Sequence, residues 1–302
     1  MVGELKAEPV GKVRANLGEG AVWDWRRGRL LFVDIHAGQV FSFRPDSGRI
    51  TDFRLGVHVG DVHPTESGRL LVAPRQGVGL WRDGSYRPIA EPLAEAAHLR
   101  VNDGNVDPRG RYFIGTMAYA ETPGEAVLFR LDGADRLTAV LTGLTISNGI
   151  DWSPDGRTMY FVDSPTGAVE AIAYRLDDGS LGERRPFARV DPELGAPDGL
   201  TVDARGGVWV AVFGGGRVLR FTPDGRLDAV VTTPGAAKVT SCCFGGPNLD
   251  TLYITTAQFL VAGADLPVQP NAGRLFAARP GVVGKPARLF PDHGLRRRAP
   301  RS

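Results

Sequence analysis

The sequence predicts an all-β fold, a six-bladed β-propeller of four-stranded blades around a central channel, on three observations. Six strand-turn-strand units recur with their turns about 40–50 residues apart, a period typical of propeller blades. Apolar and polar residues alternate at period two within the units, and Pro-Asp-Gly and Asp-Gly turns bound them. Helical periodicity is nearly lacking, because only 91–99 looks potentially helical and Pro92 keeps that segment short.

The six units are read directly along the chain, at residues 24–34, 67–72, 107–115, 153–163, 203–210 and 248–254. A second hairpin is visible at 38–46, 167–174 and 216–225. A single β-sandwich is the alternative, but six evenly spaced repeats are too many for one. Residues 1–21 are expected to supply a strand to the last blade, which would close the ring and remove exposed edges.

The domain prediction is one propeller over residues 1–302, because the repeat continues without a linker-like shift in composition. Residues 289–302 contain the arginines at 296–298 and 301 and are expected to form a disordered tail. Cys242 and Cys243 are adjacent, so a bond between them would be strained, and they are expected to be buried thiols.

The net charge of +2 is too small to indicate a nucleic-acid partner. No apolar run follows a basic start, and no stretch approaches the length needed to cross a bilayer. We therefore expect no membrane partner, a cytoplasmic location and a monomer.

Four oxygen-bearing side chains recur at nearly the same position in four of the units. Each lies about eight or nine residues before a turn glycine, and the four are Glu19, Asn102, Asn148 and Asp198. Because the innermost strand comes first in a propeller blade, these side chains are expected to meet at one end of the channel. Any one of them could simply be a turn former, but four at matching phase favour a site. Carboxylate and amide oxygens suit Ca²⁺, Mg²⁺ or Mn²⁺.

Other signatures of catalysis are missing from the sequence. It has no Gly-x-Ser-x-Gly elbow, phosphate loop, His-Glu-x-x-His motif or Cys-x-x-Cys pair. The five histidines are scattered along the sequence. Each is expected to lie at the surface or to support a metal ligand from behind, and not to bind the metal itself. An open cation with oxygen ligands can polarise a carbonyl and lower the pKa of bound water, so hydrolysis of a reactive ester is the natural reaction class.

At these residues the chain resembles the gluconolactonase family that includes regucalcin, also called senescence marker protein. The matching stretches occur in the family's order and cover the chain from about Gly18 to Phe276. Each is weak alone, and together they are highly specific: 18–24, 100–104, 106–117, 146–153, 197–203 and 240–246.

The resemblance implies one catalytic divalent metal at the channel mouth, with Glu19, Asn148 and Asp198 as its ligands. It further implies that Asn102 holds a metal-bound water or the substrate and that Arg100 binds the substrate. Ca²⁺ is the first candidate, and Mg²⁺, Mn²⁺, Zn²⁺ and Fe²⁺ are alternatives. The implied reaction opens a sugar (aldono) lactone to the free acid, with the metal polarising the carbonyl and Asp198 activating water.

The loop at 118–125 is expected to roof the site, and its Glu121 is a candidate substrate contact. This loop matches no substrate-specific pattern, so the particular sugar stays open. Two other functions also stay open. One is an arylesterase or organophosphate hydrolase on the same scaffold, and the other is a noncatalytic calcium-binding regulator.

Overall fold

The computed structural model describes residues 2–132 and 136–293, which fold as a six-bladed β-propeller and confirm the predicted fold class. In chain order the strands begin with β1 (Gly3–Lys6) and β2 (Glu8–Arg14). Blade 1 contains β3 (Gly18–Asp24), β4 (Arg29–Asp34), β5 (Gln39–Arg44) and β6 (Arg49–Arg54), and blade 2 contains β7 (Val59–Pro64), β8 (Leu70–Pro74), β9 (Val78–Arg82) and β10 (Ser85–Ala90).

The remaining four blades follow in the same order. Blade 3 contains β11 (Leu99–Val106), β12 (Tyr112–Ala118), β13 (Ala126–Asp132) and β14 (Arg136–Leu144), and blade 4 contains β15 (Ser147–Trp152), β16 (Thr158–Asp163), β17 (Ala168–Tyr174) and β18 (Leu181–Arg189). Blade 5 contains β19 (Ala196–Val202), β20 (Val208–Phe213), β21 (Arg217–Phe221) and β22 (Leu227–Thr232), and blade 6 contains β23 (Val239–Gly245), β24 (Thr251–Thr256) and β25 (Arg274–Ala278).

The first strand of each blade lines the channel. Strands β3, β7, β11, β15, β19 and β23 contact one another in succession, and β23 contacts β3 to close the ring. Buried aromatic side chains fill the space between blades, as where Trp209 meets Phe244 with ring centroids 5.5 Å apart and Phe113 meets Trp152 at 5.3 Å. Full burial of a large apolar side chain stabilises the fold by roughly 1.5–3 kcal/mol.

The amino-terminal segment is divided among three blades. Strand β2 pairs antiparallel with β25 and supplies the fourth strand of blade 6. Strand β1 instead pairs parallel with β22 and covers the outer edge of blade 5, while residues 18–21 belong to β3. The expectation that residues 1–21 complete the last blade therefore holds only for β2. The physical reason is that a second sheet edge was available for pairing.

The carboxyl-terminal segment is ordered further than expected. Phe290 is 2% exposed and bridges to Thr65, and Asp292 is 1% exposed. The Asp292 carboxylate accepts hydrogen bonds from Thr65 Oγ1 at 2.9 Å and from Arg69 Nε at 2.7 Å. The prediction of a disordered tail is therefore wrong for residues 289–293, and residues 294–302, with the four arginines, lie outside the described part.

Two smaller expectations have clear outcomes. Residues 92–95 and 97–98 form turns, and Leu99 begins β11. Cys242 and Cys243 are buried free thiols, as predicted. Among the residues described, no helix has the length and apolar character to cross a bilayer.

Buried carboxylates anchor the turns that follow several inner strands. Asp203 Oδ1 accepts hydrogen bonds from the backbone N–H groups of Arg205 and Gly207, both at 2.9 Å. Its Oδ2 accepts from Trp209 Nε1 at 3.0 Å and Arg220 Nε at 2.8 Å. Because both oxygens have donors, this carboxylate holds the turn without leaving a buried charge unpaired.

Candidate functional site

Every inner strand is irregular near its beginning. Each loses register with the second strand of its blade at one place, in all six blades. The four predicted polar residues lie at or inside these irregularities: Glu19, Asn102, Asn148 and Asp198. In blades 2 and 6 the corresponding bulge residues are Gly60 and Thr240. A β-bulge re-aims a side chain, so the irregularity explains how these polar groups turn into the channel end.

The glycine after the polar residue has a packing role. A Cβ atom on Gly149 would lie 2.6 Å from the carbonyl oxygen of Asp198, and one on Gly199 would lie 2.8 Å from that of Thr240. Neighbouring inner strands therefore approach too closely for any side chain at these positions. Three of the four polar residues are followed directly by glycine, and Asn102 is followed by Asp103. All four polar residues lie within strands, so the interpretation of them as ordinary turn formers does not apply.

Three buried side chains form the candidate metal site. Glu19, Asn148 and Asp198 are 6%, 7% and 5% exposed. Asn148 Nδ2 donates to Ser164 Oγ at 3.0 Å, which fixes the amide. Within the described residues, Asn148 Oδ1 and Asp198 Oδ1 are buried without a hydrogen-bond partner. Buried polar atoms nearly always have partners, so these two oxygens leave lone pairs that a cation or another donor can use.

The pKa shifts of the two carboxyl groups, Glu19 and Asp198, also favour a cation at this site. Burial, then the charges of Asp198 and Asp103, raise the pKa of Glu19 well above its usual value. Burial and then Asp103 likewise raise the pKa of Asp198 well above its usual value. Arg100 opposes both shifts but is the last of the causes in each case. A divalent cation would supply the charge that lets both carboxylates ionise.

The donor chemistry fits a hard cation. Two carboxylates and one amide oxygen are ligands typical of Ca²⁺ and Mg²⁺, and they leave coordination positions for water or substrate. Across residues 2–132 and 136–293 there is no group of three His, Cys, Asp or Glu side chains spaced for a metal. The set therefore depends on the Asn148 amide as its third protein ligand.

Arg100 and Asn102 lie beside this set, and both are buried. Arg100 Nη1 donates to Asn102 Oδ1 at 2.7 Å and to the Val101 carbonyl at 3.0 Å. Asn102 Nδ2 donates to the Ser147 carbonyl of the next blade at 3.0 Å. Asn102 thus uses both ends of its amide inside the protein and holds the Arg100 guanidinium in place.

Glu121 lies apart from the buried group. It is exposed, and its backbone is in the left-handed region with φ of 52°. Its N–H donates to the Ala118 carbonyl at 2.9 Å, which makes a tight turn directly after β12. Its charge still acts on Arg100, since it is among the causes that raise the pKa of that guanidinium against the dominant lowering by burial.

Sequence reasoning missed a second polar cluster deeper in the channel. The Asp61 carboxylate accepts from Tyr112 OH at 2.6 Å and lies 3.2 Å from His63 Nε2. Burial and then Asp61 raise the pKa of Asp103 to about 7. Asp61 follows Gly60, the bulge residue of blade 2. It therefore lies one residue beyond the position that the four predicted polar residues occupy in their own blades. The available signal was Asp61 and His63 at period two in an otherwise apolar strand.

These deeper groups line a cavity of about 330 Å³. Its walls include Asp61, His63 and Asp103, together with inner-strand residues beyond the candidate metal site. The segment 284–288 lines its other end, where Lys285 Nζ binds Asp151 Oδ1 at 3.1 Å. The carboxyl-terminal segment therefore forms part of the channel wall at the end opposite the site.

Comparison with known proteins identifies relatives across most of the chain. Residues 17–258 match the family model described as the SMP-30/gluconolactonase/LRE-like region. Regucalcin from Gallus gallus is 36% identical over 95% of this chain and 98% of its own. A Bacillus subtilis protein, provisionally named a sugar lactone lactonase, is 34% identical over 88% of this chain and 92% of its own.

Solved structures agree with this similarity. Regucalcin from Agrobacterium tumefaciens, described as a calcium-binding protein, superposes with a TM-score of 0.91 at 26% identity, covering 96% of this chain and 99% of that chain. A gluconolactonase from Xanthomonas campestris superposes with a TM-score of 0.69 at 23% identity over 87% of this chain and 86% of its own, which shows a shared fold.

Proposed function

Because the chain belongs to the SMP-30/gluconolactonase/LRE-like family, we propose that it is a divalent-cation-dependent lactonase that opens a sugar lactone to the free sugar acid. One structural observation carries the proposal. Among the described residues, Asn148 Oδ1 and Asp198 Oδ1 are buried without a hydrogen-bond partner, and the charge of Asp198 acts on the buried Glu19 carboxyl at the same end of the channel. The relatives named for lactonase activity and for calcium binding support the substrate class and favour Ca²⁺.

In this proposal Glu19, Asn148 and Asp198 hold the cation. When bound, such a cation polarises a carbonyl and lowers the pKa of water. Asp198 takes the proton from the attacking water, while Ser164 Oγ accepts from Asn148 Nδ2 and holds that amide in place. The water oxygen bonds to the lactone carbonyl carbon, the ring C–O bond breaks, and the ring oxygen leaves as a hydroxyl after receiving from Asp198 the proton that Asp198 took from water.

Arg100 orients the substrate. Its Nη1 donates to Asn102 Oδ1 and to the Val101 carbonyl, so the guanidinium group is held in a fixed orientation. The other N–H groups of the guanidinium can donate to sugar hydroxyls or to the ring oxygen. Asn102 acts through Arg100 as a positioning residue. Glu121, exposed at the rim, is the candidate contact for an outer hydroxyl.

The test is ring opening of the lactones of gluconic, galactonic, xylonic and arabinonic acids by metal-stripped protein. Ca²⁺, Mg²⁺, Mn²⁺, Zn²⁺ or Fe²⁺ is restored in turn, with Asp198→Ala beside the wild type and Asp224→Asn as the surface control. We expect cation-dependent turnover in the wild type and the control only. Turnover of phenyl esters or paraoxon without lactone turnover would contradict the proposal, as would cation binding with no turnover of any substrate.

A further inference from the structure

Four rings form a continuous arc at the site end of the channel, and we call Phe259, His36, His58 and Tyr119 the ring arc. The centroid distances are 4.5 Å from Phe259 to His36, 5.3 Å from His36 to His58 and 5.6 Å from His58 to Tyr119. The two central members are imidazoles, so the arc combines flat carbon faces with polar edges.

Strand direction places the ring arc at the same end of the channel as the candidate metal site. His36 follows the end of β4, Tyr119 follows β12 and Phe259 lies three residues after β24, while His58 directly precedes β7. In each antiparallel pair, the end of the second strand lies beside the beginning of the inner strand. All four rings therefore lie at the channel end where the inner strands begin, which is the end that carries the site.

The charge of Arg100 reaches three of the four rings. Burial, and next the positive charge of Arg100, lower the pKa of both His36 and His58. The Tyr119 phenol in turn acts on Arg100. The ring arc therefore lies within electrostatic reach of the residue proposed to bind the lactone, and the lowered pKa values favour the neutral form of both imidazoles.

The imidazoles are held in defined orientations. His36 Nδ1 lies 2.7 Å from Asn16 Oδ1, and His58 Nδ1 lies 2.8 Å from the Tyr119 hydroxyl. Because both contacts use Nδ1, the Nε2 atom of each ring is left for a ligand. The rings are also reachable, since Tyr119 is 43% exposed and the other three are partly exposed.

We propose that the ring arc is a second sugar subsite and that the preferred substrates are lactones carrying a second sugar ring. The proposal rests on the lactonase function above and specifies its substrate class. A sugar ring has C–H faces that pack on flat rings and hydroxyls that bond imidazole nitrogens. An acyl or aryl group would cover the same carbon surface but leave those nitrogens without partners, which is unfavourable.

The experiment compares kcat/KM for the lactones of lactobionic, maltobionic and cellobionic acids with kcat/KM for gluconolactone. The proteins are the wild type, His58→Ala and Tyr119→Phe, with His293→Ala as a matched control, because His293 is an exposed imidazole near the opposite end. We expect the wild type to favour at least one disaccharide lactone roughly tenfold. His58→Ala should abolish that ratio, Tyr119→Phe should reduce it, and His293→Ala should leave it unchanged.

Equal ratios in wild type and His58→Ala would overturn the subsite, as would a wild-type preference for gluconolactone or for acyl or aryl lactones. If no lactone is opened, isothermal titration calorimetry with lactobionate and gluconate decides separately. Tighter binding of lactobionate that is lost in His58→Ala would retain the subsite while the lactonase proposal fails. Equal binding of the two acids would overturn the subsite as well.

Discussion

The molecule contains two kinds of buried carboxylate, and their surroundings differ in one respect. Asp203 and Asp107 anchor turns, and each offers both oxygens to N–H or O–H donors within reach. Glu19 and Asp198 lie at the channel end, where Asp198 Oδ1 has no partner in the described structure. Both groups are buried, with Asp203 and Asp107 at 0% exposure and Glu19 and Asp198 at 6% and 5%. The supply of donors is what distinguishes an anchor from a candidate binding site.

This difference predicts opposite effects of substitution. Removing a buried carboxylate that has matched donors leaves those donors unpaired and destabilises the fold. Removing a carboxylate that lacks donors relieves a buried charge and costs only function. The four predictions below test this contrast, beginning with the largest effect.

The largest effect is expected on turnover. Glu19→Gln with Asp198→Asn should lower kcat for lactone opening roughly 10³-fold or more, because the cation and the base are both lost. The measurement is initial rate with saturating Ca²⁺, with Asp224→Asn as the control at an exposed turn. Activity within tenfold of the wild type would remove this group from the mechanism.

The next largest effect is expected on stability at an anchor. Asp203→Ala should lower the free energy of unfolding by about 3 kcal/mol, since Trp209 Nε1, Arg220 Nε and two backbone N–H groups lose their acceptor. Urea unfolding followed by tryptophan fluorescence measures this change. A loss below about 1 kcal/mol would show that matched donors are not what makes these carboxylates stabilising.

A smaller effect of opposite sign is expected at the site. In metal-free protein, Asp198→Asn should raise the free energy of unfolding by about 1 kcal/mol, because it replaces a carboxyl whose ionisation is disfavoured by burial and Asp103 with a neutral amide. The same urea experiment, with chelator present, measures it. Destabilisation by Asp198→Asn as large as that by Asp203→Ala would erase the contrast between the two groups.

The smallest effect is a dependence of stability on pH. The raised pKa values of Glu19 and Asp198 mean that the folded metal-free protein retains protons that the unfolded chain releases above about pH 4. Their contribution is fully present below that pH and is lost as pH rises through the raised pKa values. The midpoint temperature of thermal unfolding of the wild type should therefore fall with rising pH, relative to that of Glu19→Gln/Asp198→Asn. Parallel curves for the two proteins would contradict the shifts.

The sequence alone predicts the blades well, because a repeat of turns and alternating strands repeats the same local physics in every blade. It also shows that Glu19 and Asp198 occupy equivalent positions in their repeat units. Equivalent positions in a ring of blades must face one axis. It does not reveal that the bulge aims them or that Gly149 and Gly199 are required by the adjacent strand. Both features depend on distances between neighbouring blades, which the sequence of a single repeat does not determine.

Two other features could not be predicted from the sequence, for a related reason. The ring arc comes from connections in different blades, and no spacing in the sequence marks it. The order at 289–293 depends on Phe290 and Asp292 meeting residues more than 200 positions earlier. A basic, non-periodic end of chain gives no local sign of such a partner.

The most direct test of the central claim is calcium binding to metal-stripped protein by isothermal titration calorimetry at pH 7. Wild type and Asp224→Asn should each bind one Ca²⁺ per chain at the channel end and release protons, because carboxylates with raised pKa values must ionise to coordinate the ion. Glu19→Gln/Asp198→Asn should lose that binding. Equal calcium binding by the double variant, or no divalent cation bound by the wild type, would contradict the assignment of this site.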